Sequence, residues 1–190
     1  MNLSSNLQPE QNKAVLVTGA AKRLGREIAL EFARQGWDIA IHYGQSASDA
    51  QATVAEIQAL GRKAVAFKAN LASEAEIHSL FAAVVTEFKS LQCLVNSASI
   101  FEYDRANSDA PLSSKSLQDH IQVNLAAPIL LSQLMFEHQK SQTKKASEGD
   151  LSIPSVIQLL DQKLINLNPD YLSYTLSKAA LLTSVQMLAV

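Results

Sequence analysis

Apolar and polar positions follow two rhythms along this chain. Short unbroken apolar runs rich in Val, Ile and Ala read as buried strands, and apolar residues recurring three and four apart read as helices. Strands are predicted near 13–18, 37–43, 63–68, 91–96 and 154–161, and helices near 24–35, 47–60, 73–89 and 113–139, with a last helix from about 170 to the end. Gly36 and Gly61 stand where the first two helices should stop. Such alternation predicts an α/β fold, a parallel sheet with helices on both faces in three layers. Two connections break the regularity. Residues 97–112 follow the fourth strand with aromatic, acidic and polar residues, at the end of a strand where open α/β sheets hold ligands. Residues 141–151 are rich in Lys, Ser, Gln and Glu without apolar periodicity and are expected to form a solvated loop without chemistry.

The run Thr18-Gly19-Ala20-Ala21-Lys22-Arg23-Leu24-Gly25 lies between the first strand and the first helix. At such a turn Gly19 permits backbone angles that a Cβ opposes, and Gly25 lets the helix approach the strand. The helix start then offers unpaired N–H groups and partial positive charge to a pyrophosphate, so the turn predicts a Rossmann-like, doubly wound dinucleotide-binding domain.

Composition narrows the partners. Sixteen Lys and Arg against eighteen Asp and Glu leave a net charge of −2, so no global field draws the chain to nucleic acid or to an anionic membrane; a small-molecule substrate is expected. One Cys excludes an internal disulfide, and Cys93 in its apolar segment reads as a buried thiol, which fits a cytoplasmic setting. The polar N-terminus lacks a signal-like apolar stretch, and no apolar run has the length of a membrane span. The 47% apolar content suffices for one core, so residues 1–190 are read as a single domain. There is no internal repeat, and the four His are scattered without a metal-ligand cluster.

Tyr174 and Lys178, four apart, project from one helix face. An ammonium beside a phenol favours the phenolate and is expected to lower its pKa toward useful acid–base range. The plain alternative is a Lys stem packed on a surface ring. Tyr171 has no such partner, because Thr175 stands four beyond it.

With a dinucleotide turn first and a Tyr-x-x-x-Lys helix after the fifth strand, the chain resembles the short-chain dehydrogenase/reductase family from Val15 to its end. The resemblance implies that Tyr174 is the proton donor or acceptor, that Lys178 holds the nicotinamide ribose and tunes the Tyr, and that Asn124 completes the catalytic set. Pro128 has no N–H, so the carbonyl of Asn124 four residues earlier loses its helical partner and can hold the water that in the family links to the Lys.

Two departures from the family's commonest pattern point to its pteridine reductase branch. Arg23 stands where a middle glycine is usual, and Asp161 stands thirteen residues before the Tyr in place of the usual Ser. In that branch the Arg reaches cofactor phosphate and substrate, the catalytic set is Asp, Tyr and Lys, and an aromatic residue matched here by Phe101 stacks on the pterin. The implied substrate-binding residues are thus Arg23, Phe101, Asp161 and Tyr174. Phe101 also reads as a loop residue closing the core, and Asp161 as a strand-end carboxylate capping the next turn. In the catalytic reading, Asp161 has a raised pKa and donates a proton to a ring nitrogen.

The second strand ends in His42-Tyr43-Gly44-Gln45-Ser46 with no carboxylate until Asp49, so a ribose 2′-phosphate meets no repulsion. Lys22, Arg23 and Ser46 are candidates to bind it, and NADPH/NADP+ is the expected cofactor. In the pteridine reductases position 45 is usually Arg, and Asn70 stands where the family generally places Asp against the adenine. Further implied cofactor contacts are Gly19, Leu24, Gly25, His42, Tyr43, Leu71, Asn96, Ser97, Ala98 and Lys178. The family's fold continues beyond the Tyr-Lys helix, so the chain is expected to be C-terminally incomplete, lacking the usual last strands. The full-length form is expected to be a homodimer or homotetramer. Three readings stand: a reductase of dihydropterins or dihydrofolate, a carbonyl reductase acting on a 3-ketoacyl thioester or a sugar ketone, and an NADP-binding module without turnover.

Overall fold

A computed structural model of the chain describes residues 13–106, 109, 111–143 and 154–188. Five parallel strands form one sheet in the order β3-β2-β1-β4-β5: β1 Ala14–Val17, β2 Asp38–Tyr43, β3 Ala64–Lys68, β4 Leu91–Asn96 and β5 Ser155–Gln158. β1, buried at every position, is the central strand, which explains its unbroken Ala-Val-Leu-Val. Successive β1 residues feed opposite cores. Val15 and Val17 join Ile39, Ile41 and the inner sides of α1 (Arg23–Arg34) and α2 (Ala47–Ala59), whereas Leu16 joins Ala40, Leu94 and residues of α3 (Glu74–Glu87) and α5 (Ala127–Thr143). Parallel strands need crossovers, and these helices cover both faces of the sheet.

The predicted elements appear with shifted ends. After α1 and α2 the chain turns off at Gly36 and Gly61 with paired cap bonds: Gly36 N–H donates to Ala33 and Trp37 N–H to Phe32, and the same pattern recurs from Gly61 to Gln58 and Arg62 to Ile57. The predicted helix over 113–139 is three pieces in line: α4 (Ser114–Ile121), a π-turn over Gln122–Ala126, and α5. The extra residue falls where Pro128 withdraws its N–H from the ladder, so the break read from the sequence is relieved by a wider turn closed by Ala127 N–H on the Gln122 carbonyl.

Residues 141–143 are helical, against the expectation of a loop from 141; Ser141 and Gln142 are exposed but extend a helix already formed, and propagation does not need an apolar face. The remainder of that predicted loop, 144–151, lies outside the described residues, as do Asn107, Ser108 and Ala110 of the 97–112 connection. β5 stops three residues before its predicted end because Asp161 turns the chain into a short 3-10 turn at Gln162–Leu164, its side chain accepting from Lys163 N–H at 2.8 Å. The last helix, α6 (Leu172–Leu188), opens after Tyr171, whose φ is +56°. No helix among the described residues is long and apolar enough to cross a membrane.

Candidate active site

The order of strands reverses between β1 and β4, which opens a crevice at the carboxyl ends of the sheet. Thr18 draws its sides together: its Oγ1 accepts from the N–H groups of Ser97 and Ala98, both at 3.0 Å, and donates to the Val95 carbonyl. This brings Ala98 over the first turn. A Cβ on Gly19, whose φ is +66°, would stand 2.9 Å from the Ala98 Cα, and one on Gly25 would stand 2.4 Å from the Gly19 carbonyl oxygen. Both glycines are therefore required by space, and the cradle they leave is one that a side chain would fill.

Arg23 starts α1 at φ +51°, which costs an L-residue about 1–2 kcal/mol. The middle glycine usual in the family would adopt that angle without strain. Arg23 lines the cleft at that strained position.

His42 is buried under this turn. Gly19 N–H donates to its Nδ1 at 3.1 Å, so the ring proton is on Nε2, which reaches the Ala69 carbonyl at 3.1 Å. Burial holds its pKa below the ordinary value of 6.5, partly opposed by the Ala69 bond. The ring is thus a neutral brace between β2, the glycine turn and the end of β3, a second role beside its place on the cleft wall.

The cleft at this crevice has a volume of about 900 Å³, within the usual range of roughly 300–1,000 Å³ for small-ligand sites. Of the residues expected at a cofactor, Gly19, Lys22, Arg23, Leu24, Gly25, His42, Asn70, Leu71, Ser97 and Ala98 line it. Tyr43 and Ser46 are half-buried at the end of β2 and the start of α2, and Asn96 is buried in β4 with its amide toward the Pro128 carbonyl; these three, and Lys178 of α6, stand off the cleft wall. Lys22 is held by Asp49 at 3.0 Å, both half-exposed, a surface pair worth at most about 1 kcal/mol that a phosphate can displace. The Oδ1 of Asn70 accepts from Ala72 N–H at 3.0 Å, which leaves its amide nitrogen for a ligand. Gln45, Lys68, Glu76, Val123 and Leu159 also line the cleft. Sequence reasoning passed over Lys68 and Glu76 because one ends a strand and the other sits in a helix's first turn, where a charged residue is ordinary.

Tyr174, Asp161 and Lys178 are brought together at the end of β5. The Tyr174 hydroxyl donates to Asp161 Oδ2 at 2.7 Å, and Lys178 Nζ, nearly fully buried, donates to the Leu159 carbonyl at 2.8 Å while lying 5.9 Å from the Tyr174 ring centre. Two expectations are corrected here. The phenol pKa is pushed up, not down, first by burial and then by the hydrogen bond and charge of Asp161. Asp161, expected to be raised, is held below the usual carboxylate value by the Lys163 N–H first, then by the Tyr174 hydroxyl, against burial. The nearest charge to the phenol is the carboxylate, since the ammonium is turned to the Leu159 carbonyl. Burial also lowers Lys178, with Asp161 opposing. The proton of the pair therefore rests on Tyr174; the turn-capping reading of Asp161 holds, since Oδ1 caps the 3-10 turn, while Oδ2 accepts from the phenol rather than donating a proton.

Asn124, fully buried in the π-turn, has every side-chain bonding direction engaged. Oδ1 accepts from Ile100 N–H at 2.9 Å and from Ser99 Oγ, and Nδ2 donates to the Ile100 carbonyl and to Ser177 Oγ. It ties the loop after β4 to α6. Phe101 is 53% exposed, which rules out the core-closing reading. One face stacks on Tyr171 at 3.9 Å between centres and the ring meets Tyr174 edge-on at 4.7 Å.

Asp104 escaped sequence reasoning. Buried, it accepts from Ser173 N–H, Ser173 Oγ and Ser116 Oγ, and its carbonyl accepts from Tyr171 N–H at 2.9 Å, so it caps the start of α6 next to Tyr174. Burial would raise its pKa, but these hydrogen bonds prevail and lower it. An Asp nearly seventy residues upstream of the helix it caps leaves no local signal.

A cleft at the sheet's switch point, beside a helical Tyr–Lys pair with a carboxylate on the phenol, is the arrangement of a nucleotide-binding α/β fold. The family model for short chain dehydrogenases matches residues 13–190, and the chain belongs to that family. It is similar to the alternative dihydrofolate reductase 1 (FolM) of Brucella canis solved with NADP, at 32% identity and a TM-score of 0.79 over 94% of this chain and 66% of that one. A short chain dehydrogenase of Burkholderia cenocepacia, also solved with NADP, gives 33% and 0.81 over 94% and 68%. The 3-oxoacyl-[acyl-carrier-protein] reductase FabG of Staphylococcus epidermidis is 43% identical over 89 residues, 47% of this chain and 36% of that protein. The match spans under half the length of the first curated relatives, 46% and 36% for the first two.

Proposed function

We propose that this protein is an NADP-dependent reductase of a pteridine, a dihydropterin or a dihydrofolate. The observation that carries the reading is the Asp161 carboxylate at 2.7 Å from the Tyr174 hydroxyl, with the exposed Phe101 ring edge-on to that same phenol. The glycine-walled cradle fits a pyrophosphate, with Lys22, Arg23 and the start of α1 around it. Bound there, NADPH supplies a hydride to a C=N carbon of the substrate.

The chain's own residues supply the rest. Tyr174 holds the proton to be delivered to the ring nitrogen, and Asp161 fixes the direction of that hydroxyl. Lys178 brings a buried positive charge to the same corner, and Asn124 keeps the loop after β4 and α6 in one frame. With Tyr171 over one face of Phe101, a flat heterocycle has the opposite face to stack on, worth about 1 kcal/mol beyond area burial. The similarity to FolM supports this reading. The similarity to FabG supports the alternative, a carbonyl reductase of 3-oxoacyl thioesters.

The test is oxidation of NADPH, followed by loss of the reduced-nicotinamide absorbance, with dihydrobiopterin and with acetoacetyl thioester in parallel. Turnover of the pterin upholds the proposal. Turnover of the thioester alone replaces it with the carbonyl reductase, and tight NADPH binding without any turnover leaves a nucleotide-binding module.

A further inference from the structure

We propose that Lys68 is the cation that binds the ribose 2′-phosphate of the cofactor in this chain, and so sets its preference for the phosphorylated dinucleotide. The inference rests on the NADP reading above and adds a residue to it.

The strand end where a dinucleotide-binding sheet meets the ribose carries no positive charge of its own here: Tyr43, Gly44 and Gln45 are neutral. Of the two cations in the first turn, Lys22 is already held by Asp49 at 3.0 Å, and Arg23 is carried at the start of α1. Lys68 fills the gap from the neighbouring strand. Its Cα is in register with Tyr43 across the parallel β2–β3 pair, so it is the residue beside the point where β2 runs into Gly44 and Gln45. Alternation along β3 places it on the face of Ala64 and Ala66, the one that packs with Ile39, Ile41 and α2, whose first turn follows Ser46.

It is exposed at the strand end and lines the same cleft as Gly44, Gln45 and Lys22. Among the described residues no carboxylate pairs with its ammonium; the carboxylate on the same wall, Glu76, accepts from the Asn70 N–H at 2.8 Å. An ammonium on a flexible stem suits a phosphate as a point charge, whereas a ribose hydroxyl gains little from it.

The experiment measures dissociation constants of NADPH and NADH by calorimetry on the purified chain and its Lys68→Gln, Lys68→Arg and Lys22→Gln variants. Lys68→Gln is expected to weaken NADPH about tenfold and to leave NADH within about twofold, since only one of the two carries the phosphate. Lys68→Arg retains most of the NADPH affinity, and Lys22→Gln costs less than Lys68→Gln because Lys22 has Asp49 to leave. An unchanged thermal midpoint shows that the exposed substitution has not altered the fold. Equal loss of both dinucleotides, or NADPH binding as tight as in the wild type, overturns the assignment while the cofactor reading stands. A wild-type chain that binds neither dinucleotide overturns the cofactor reading and this assignment with it.

Discussion

Replacing Asp161 with Asn separates the charge at the site from its shape. The amide keeps an oxygen for the Lys163 N–H that now bonds at 2.8 Å, so the turn after β5 survives, but the negative charge 2.7 Å from the Tyr174 hydroxyl is gone. Burial is the largest force keeping the phenol protonated, and the bond and charge of Asp161 come next. A hydrogen bond to a charged group contributes about 1.5–3 kcal/mol, and about 1.4 kcal/mol corresponds to one pH unit. Asp161→Asn should therefore lower the pH at which Tyr174 ionises by roughly one to two units, leaving burial to hold it above an ordinary phenol.

Alkaline difference absorbance of the phenolate band reads this directly when each protein is compared with its own Tyr174→Phe partner. In turnover the alkaline limb of the pH profile moves to lower pH by the same amount. A Tyr174 that ionises at the wild-type pH or above it refutes the reasoning. Loss of turnover at every pH with an unshifted phenol would return Asp161 to the role of acid.

Gly25→Ala places a methyl 2.4 Å from the Gly19 carbonyl oxygen, a backbone atom that cannot step aside cheaply; about 1–3 kcal/mol of stability and at least tenfold in NADPH affinity should be lost, read by urea unfolding and calorimetry. His42 is neutral in the fold with its pKa depressed, so the unfolded chain takes up the extra proton: stability is intact above the ordinary pKa of 6.5 and falls as pH drops through it, by up to about 1.4 kcal/mol per unit. Thermal midpoints from pH 7.5 to 5 should show this slope, and His42→Gln should flatten it; an equal slope in the variant refutes the role. Asp104→Ala leaves the Ser173 N–H and the hydroxyls of Ser173 and Ser116 without their acceptor and should cost about 2–4 kcal/mol in urea unfolding, with Asp104→Asn costing less.

What the sequence made legible follows from how local each cause is. The glycine turn, the strands of the parallel sheet and the helix ends at Gly36 and Gly61 are written within a few residues of where they act, and each is found there. Pro128 announced a break at Asn124, although the form of the relief, a π-turn, depends on the helix continuing on both sides. The misread features are set by distant partners. Asp161 and Tyr174 share a motif, but the direction of their pKa shifts depends on burial and on which way the Lys178 ammonium faces, and Leu159 draws it away from the phenol. Asp104 caps a helix that begins far downstream, and Lys68 reaches the cleft only because β3 is laid beside β2. Neither arrangement has a signature in spacing.

Among the described residues, the departures from regular backbone at non-glycine positions are not scattered. Arg23 at φ +51°, Tyr171 at φ +56° and the π-turn at Gln122–Ala126 all lie at the carboxyl end of the sheet, where the loops leave the strands. Each conflicts with a local preference, and two of the three are held by long-range bonds: Asp104 accepts from Tyr171 N–H, and Asn124 ties Ile100 to Ser177. Strain of this kind persists only where surrounding structure over-determines it. Because the Asp104 and Asn124 networks meet at residues 173 and 177 of α6, on either side of Tyr174, a ligand that moved the loop after β4 would be felt at the phenol through the start of that helix. Asn124 thereby fixes the α6 segment that carries Tyr174 to Ser99 and Ile100, which line the cleft.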